Sequence, residues 1–575
     1  MDNKRDDRFS PRPGRISGRH TVPSPSGLRA AVLNLCGSRT NPSARRTSST
    51  FGRGRAASLT ASLRSPGRRV AVKMRSVRHR GSMARAALAA HITYLDRDGV
   101  SREGEPQGIF SADGETPDRS AFADRCSDDR HHFRCIVSPE DANELQDLRA
   151  TTRDLMRQAE KDLGTRLEWI AVDHWNTDNP HVHILIRGRA DDGRDLVISR
   201  DYWTKGLRAR AEALIEQELG PRNELAIRTT LEREVTADRF TGLDRMMRNL
   251  AAHDGCIDPD KLPTLSTPGV GQLAITRLRR LEWMGLATPT DDGGWRIAAD
   301  LEQRLRDLGS RNDIIATIHK ALARQSIERG ADALIHEHAS GGPVIGRLVE
   351  RGLQDELAGT AYAVVDGVDG RAHHIRLPDL AATGDGPVGS IVELWTYTDR
   401  AGRAAEVLAL RSDLAVGAQV SAAGATWLDR QLVAREPSHV VDAGFGRDVK
   451  DALSARAEHL ASQGLARRQG ARMLFVRDLL ATLQERELRS VKAKLEIETG
   501  IAARPATVGG AVAGTFRRRI DLASGRFAMI EGSLGFQLVP WTPSLDRQLG
   551  REVAGIVRDG GRIEWSLGRQ RGLEI

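Results

Sequence analysis

Cysteine, tyrosine and long apolar runs are all scarce in this sequence. The four cysteines among 575 residues, Cys36, Cys126, Cys135 and Cys256, sit at none of the short spacings that hold zinc. They are also too few for a disulfide framework, which excludes a stapled secreted scaffold and fits a reducing, cytoplasmic setting. No run of about 18 apolar residues occurs, so no membrane insertion is expected. Tyr94, Tyr202, Tyr362 and Tyr397 are the only tyrosines, so chemistry that needs a phenolic nucleophile has few candidates. Acids are sparse at the start, where segments such as RTSSTFGRGRAASLTASLRSPGRR cannot bury enough apolar surface to offset the entropy of ordering. Residues 1–67 therefore read as a disordered basic arm, with an organelle transit peptide as the lesser alternative.

What is present is positive charge and a succession of patterns. A formal net charge of +9 favours a polyanionic partner such as nucleic acid. The length calls for several domains. Residues 68–222 alternate strand and helix patterns and predict an α/β (α+β) sandwich with at least one antiparallel hairpin. Its strands are RRVAVKMRSV, HHFRCIV, LEWIAVDHW and HVHILIRGR. A helix is expected from Pro139, in its first turn, to Gly164 at its end. Residues 223–335 predict a helical, winged-helix-like segment, centred on a helix and two short strands within 272–297. A small barrel-like β-rich module is expected over 336–430, a helical segment over 431–500 and a β-rich module over 501–575. No internal repeat at a fixed period is evident.

The sharpest signal is the run from His174 to His183, HWNTDNPHVH. Residues two apart on a strand share a face, so His181 and His183 project together, about 7 Å apart along the backbone. If the flanking strands pair symmetrically about the turn Trp175 to Pro180, His174 falls opposite His181, with Cβ atoms roughly 5 Å apart. Three neutral nitrogen ligands with open positions beside them describe a catalytic metal site. The other face, Val182, Ile184 and Ile186, is apolar and should pack on helices.

Tyr94 ends the helix MARAALAAHITYL. A phenol, with a pKa near 10, needs a neighbouring base or cation to attack at neutral pH. His91, three residues earlier on the same helical face, could orient it, and Arg97 could supply positive charge. By itself a helical tyrosine is an ordinary core or surface residue, so Tyr94 gains meaning only from the residues it accompanies.

A tyrosine after the first helix, then a strand, a helix and a strand pair carrying HxNxxxPHxH, resembles the conjugative relaxases of the HUH superfamily, and most closely the P-type mobilisation class that includes the T-DNA border endonuclease. The resemblance covers about residues 68–220. It implies a central antiparallel sheet flanked by helices and a nuclease that nicks one strand of plasmid or integrative-element DNA at an origin of transfer. It also implies Mg²⁺ or Mn²⁺ held by His174, His181 and His183, and Tyr94 left joined to the 5′ end. Relaxosome accessory proteins, a type IV secretion coupling protein and a bacterial cytoplasmic location are implied in the same way. The family usually places an acid two residues after the first histidine, where this chain has Asn176. An amide cannot take up a proton as a carboxylate does, so another group must replace it, with Asp173, Asp178 and His132 as candidates. Such an enzyme holds single-stranded DNA at the nick, so Arg97 and Arg187 are expected against phosphates and Trp175 and Trp203 against bases. A rolling-circle replication initiator would use the same chemistry. A catalytically inactive DNA-binding regulator and a zinc hydrolase are the readings from other classes. Beyond about residue 230 the chain resembles the uncharacterised region that follows such relaxases, most clearly in GRFAMIEG, GFQLVPW and SLGRQRGLEI.

Overall fold

The computed structural model describes residues 53–54, 68–79, 84–114, 116–175, 179–251, 255–258, 269–328, 344–398, 402, 404–470, 472–558 and 561–566. Nearly all of the expected basic arm, as well as Asn176 and Asp178, lies outside these residues. The described chain is α+β throughout, with antiparallel sheets and no closed barrel among the described residues.

The first sheet contains β1 (Val70–Arg78), β2 (Phe110–Ser111), β3 (His131–Pro139), β4 (Trp169–His174) and β5 (His181–Arg187) in the order β1-β3-β5-β4-β2. Its helices are α1 (Ala84–Asp98), α2 (Arg119–Cys126), α3 (Leu148–Leu163) and α4 (Leu207–Leu219). One face of the sheet packs its apolar rows, including Val182, Ile184 and Ile186, against Leu155 and Met156 of α3 and Leu207, Ala211 and Ile215 of α4. On the other face Ile170, Val172 and Leu185 meet Leu88, Ile92 and Leu95 of α1. The helix expected from Pro139 begins later. Pro139 is still paired with Val70 in the sheet, and Asp147 caps α3 by accepting from the amides of Arg149 and Ala150. Its other end is as expected, at a left-handed Gly164 with φ 62°.

Next come α5 (Glu224–Thr236), α6 (Gly242–Leu250), β6 (Cys256–Ile257), α7 (Val270–Trp283), the hairpin β7 (Ala287–Pro289) and β8 (Trp295–Ile297), and the long α8 (Leu301–Arg324). The module expected to be barrel-like is an open five-stranded antiparallel sheet, β11-β10-β9-β12-β13. Its strands are β9 (Ile345–Asp355), β10 (Thr360–Gly367), β11 (Ala372–Leu377), β12 (Ile391–Thr398) and β13 (Ala404–Ser412). Then follow α9 (Val416–Gln419), α10 (Trp427–Val433), α11 (Gly444–Ser462), a hairpin of β14 (Ala466–Gln469) and β15 (Arg472–Phe475), and α12 (Leu479–Thr499). The hairpin interrupts what the sequence suggested was continuous helix. A last antiparallel sheet holds β16 (Ala511–Leu522), β17 (Gly525–Gly532), β18 (Gly535–Pro540), β19 (Glu552–Val557) and β20 (Ile563–Trp565).

Two of these segments are built on one plan. In the first, Thr241 and Asp244 form a capping box at the start of α6, and fully buried Arg277 from α7 forks onto Asp244 while donating to the carbonyls of Val235, Ala237 and Arg239. In the second, Thr426 and Asp429 form the box at the start of α10. There Arg456 from α11 forks onto Asp429 and donates to the carbonyls of Val420, Ala422 and Gly424. Each box lies in a Thr-x-Leu-Asp-Arg run, and each arginine is followed by a Gly-Leu-Ala step, Gly285 to Ala287 and Gly464 to Ala466, that opens a hairpin. The arginine lies 33 residues beyond the aspartate in one copy and 27 in the other, so no fixed period joins them. A buried guanidinium that loses its carboxylate keeps its desolvation cost. Asp244→Ala and Asp429→Ala should each destabilise the chain by roughly 3–5 kcal/mol, read from urea unfolding, whereas a loss below ~1 kcal/mol would show that the fork is not needed.

Candidate metal centre

The pairing of β4 with β5 sets His174 directly across from His181 and Val172 across from His183. All three imidazoles stand on one face of the sheet, with ring centroids 5.3 Å apart for His174 and His181, 4.8 Å for His174 and His183, and 4.8 Å for His181 and His183. The Nε2 atoms of His181 and His183 are 3.0 Å apart. His181 directs Nδ1 at the carbonyl of Asn179 at 2.9 Å, and His174 directs Nε2 at the carbonyl of Leu95 at 3.3 Å. Bonds of this kind fix the tautomer and leave the opposite ring nitrogen to a metal. Burial first, then His183 and His181, brings the His174 imidazole down to about 4, and burial and His183 lower His181 as well. Neutral rings are the form that ligates.

A fourth group arrives from far down the chain. Glu356, in the turn between β9 and β10, places Oε2 2.9 Å from Nε2 of His183 and 3.7 Å from Nε2 of His181. Burial raises its carboxyl, but the hydrogen bond with His183 and the neighbouring imidazoles outweigh that and hold it at about 2. One ligand atom from each of His174, His181, His183 and Glu356 lies within 4.8 Å of the others, so this group could hold a metal ion. Adjacent ligands around an octahedral ion with bonds of about 2.1 Å stand about 3.0 Å apart. The spacings at His183 fit that value.

Tyr94, on α1, reaches this cluster through its backbone neighbour. The residue after it, Leu95, supplies the carbonyl that meets His174. Its own hydroxyl oxygen accepts the amide of Leu353 at 3.2 Å, three residues before Glu356. His91 is buried, and burial, Arg134, His183 and His132 all lower its imidazole. Arg134 on β3 shares the histidine face, is buried, and donates to His132 at 3.2 Å. Its guanidinium reaches Gly359 in the β9–β10 turn, where an added Cβ would lie 2.6 Å from Nη1.

Other expected site residues are placed elsewhere. Asp173 points to the opposite face, where it accepts from Arg149 at 2.8 Å and from the Trp175 indole at 2.9 Å. It is committed to a buried ion pair and is not in the histidine cluster. Trp203 also sits on that far side, edge-on to Phe133. Arg187 is paired with Asp129 and Glu168, and Trp175 has Arg102 over its ring. The side chain of Arg97 lies outside the described residues. His132, the other candidate base, bonds to His79 and Arg134 rather than to the triad.

A cavity of about 730 Å³ opens from the cluster between the first sheet, α8 and the β9–β10 hairpin. His181 and Glu356 line one part of it, and Arg69, Lys73, Lys320 and Arg324 are also on its wall. Tyr362 lines it too and bonds Glu350 at 2.7 Å. A second phenol is thus near the first, since an added Cβ on Gly352 would meet the Tyr362 ring at 2.8 Å and the Tyr94 hydroxyl at 3.0 Å.

Comparison with protein families finds a match over residues 274–407 and 395–574, to a family described as a protein of unknown function, DUF3363. The chain belongs to the DUF3363 family. Glu356, Leu353 and Gly359 all lie within its DUF3363 region, while the three histidines and Tyr94 precede it. No curated protein and no solved structure matches the chain. Sequence reasoning missed Glu356 and Arg134, and named Tyr362 only as one of four tyrosines. Arg134 could have been found from its alternation with His132 on a strand next to the HxH strand, whereas nothing local marks Glu356.

The DUF3363 sheet carries its own pH sensitivity. His374 stacks on Tyr362 at 5.1 Å, and burial, with Arg376 second, brings its imidazole down to about 4. Between an unfolded value of about 6.5 and 4, the unfolded chain takes a proton that the fold refuses, so stability falls as pH drops through that window. The thermal midpoint should decline from pH 6.5 to 4 less steeply in His374→Asn than in the parent. Parallel curves would remove His374 from the account.

Proposed function

We propose that this chain is a DNA relaxase, which nicks one strand at an origin of transfer by transesterification and can rejoin it. The observation that carries this reading is the convergence of His174, His181 and His183 on one sheet face, with the backbone of the Tyr94 helix bonded to the first of them. A divalent ion at this site, Mg²⁺ or Mn²⁺ as the resemblance to relaxases implies, would when bound withdraw charge from the non-bridging oxygens of the scissile phosphate. His174, His181 and His183 would hold it.

Tyr94 is the nucleophile in this account. Its oxygen bonds to phosphorus as the bond from phosphorus to the 3′ oxygen breaks, and the phenol proton is balanced by the proton that the 3′ hydroxyl gains. One phosphodiester replaces another, so the step runs backward to reseal the strand. The amide of Leu353, already aimed at the Tyr94 oxygen, would stabilise negative charge there as attack begins. Arg134, buried on the same face, would meet phosphate charge. Arg69, Lys73 and Lys320 on the cavity wall supply the cations that a single-stranded backbone needs. The two helix–hairpin units, α7 with β7–β8 and α11 with β14–β15, suit winged-helix modules that grip duplex beside the nick. A rolling-circle initiator would share every one of these features and differ only in the DNA site used.

The test is incubation of supercoiled DNA bearing the element's own transfer origin with protein and Mg²⁺ or Mn²⁺, followed by a denaturing gel. Nicked DNA and a covalent adduct are expected from the parent and from Tyr362→Phe. Tyr94→Phe should give no adduct, and His181→Ala with His183→Ala should reduce nicking by about 10²-fold or more. An adduct that survives Tyr94→Phe and vanishes in Tyr362→Phe would move the nucleophile to the DUF3363 sheet. No nicking by the parent on any origin DNA would end the relaxase reading.

A further inference from the structure

We propose that the DUF3363 hairpin β9–β10 completes the metal centre in cis, with Glu356 as the carboxylate ligand that the histidine-bearing sheet does not supply. The proposal rests on the metal-site reading above, but not on DNA being the substrate.

Ligand chemistry comes first. Three neutral imidazoles leave the charge of a divalent ion uncompensated and favour softer ions, whereas Mg²⁺ and Mn²⁺ prefer oxygen donors. On the histidine sheet itself, Asp173 faces away and is engaged by Arg149. The residue two past His174 is Asn176, an amide. Glu356 fills that gap with an anionic oxygen 2.9 Å from the His183 nitrogen.

The hairpin is also built to keep that oxygen in place. Asp355 accepts from the amides of Leu357 and Ala358, closing the turn around Glu356. Gly359 ends it at φ +74°, a left-handed conformation that glycine adopts without strain, and the absent side chain admits the guanidinium of Arg134. β9 is an interior strand, paired with β10 on one side and β12 on the other. Its Leu353 amide anchors on Tyr94. A tip held by its own sheet, by Arg134 and by Tyr94 is placed as a permanent wall of the centre. Because His181 and Glu356 both line the cavity, the remaining coordination positions would face the space open to substrate.

The experiment measures Mn²⁺ binding to the full chain without DNA, by titration calorimetry and by the loss of the free-ion electron paramagnetic resonance signal. Parent, Glu356→Gln, Glu356→Asp and His181→Ala are compared, with thermal unfolding in chelator confirming that each variant is folded. Glu356→Gln should weaken Mn²⁺ binding about tenfold or more, in the same sense as His181→Ala. Glu356→Asp, which keeps the charge, should recover part of the loss. If the carboxylate instead only occupies the place of a substrate phosphate, Glu356→Gln will bind Mn²⁺ as well as the parent or better, and any nicking will rise. That result, or Mn²⁺ binding absent from the parent, overturns the proposal. Since no DNA is present, a failed nicking assay leaves this outcome unaffected, and loss of binding in Glu356→Gln alone leaves the relaxase reading standing.

Discussion

The register of β4 against β5 is the constraint on which the candidate site depends. Side chains alternate faces along a strand, so a slip of one residue would turn His181 and His183 into the apolar core and bring Val182 and Ile184 out. Val182, Ile184 and Ile186 are almost completely buried against α3 and α4, and burying each apolar side chain contributes about 1.5–3 kcal/mol. The hydrophobic face thus fixes the polar one. Desolvating three imidazoles is the cost, and it is offset by backbone carbonyls, Asn179 for His181 and Leu95 for His174.

The centre then acquires meaning through a second, long-range constraint. The β9–β10 hairpin touches the first sheet through Glu356 at the histidines and through Gly359 at Arg134, and touches α1 through the Leu353 amide at Tyr94. These contacts come from one hairpin, so they position one another. The family to which the chain belongs has no described function, yet this part of it contributes a wall of the cavity and a charged oxygen at its metal-like centre. That ties the two halves of the chain to one site.

Much of this was legible in the residues. The alternation HVHILIR, with ligand types on one parity and branched aliphatics on the other, is sufficient to predict both the strand and the side that faces helices. The turn between His174 and His181 is short enough for symmetric pairing to put them opposite each other. Helix ends with strong local chemistry, such as Gly164, were also readable. Asp173 was misplaced for the same reason that the histidines were placed well: adjacent to His174 in sequence, it must face the other way on a strand. Glu356 was invisible because long-range docking leaves no local pattern around one acid in a turn. The duplicated Asp-Arg forks escaped notice because the linker between their halves differs in length, although Thr-x-Leu-Asp-Arg and the Gly-Leu-Ala step are spaced alike relative to their partners. Open sheet and barrel differ only in whether edge strands β11 and β13 pair, which strand patterns do not encode.

The central claim is that one divalent ion binds where three imidazoles from the first sheet meet. Crystals of the full chain grown with Mn²⁺ and measured at the manganese absorption edge test it directly. The account predicts an anomalous peak bounded by His174, His181, His183 and Glu356, whereas a peak elsewhere, or none at saturating Mn²⁺, would contradict it.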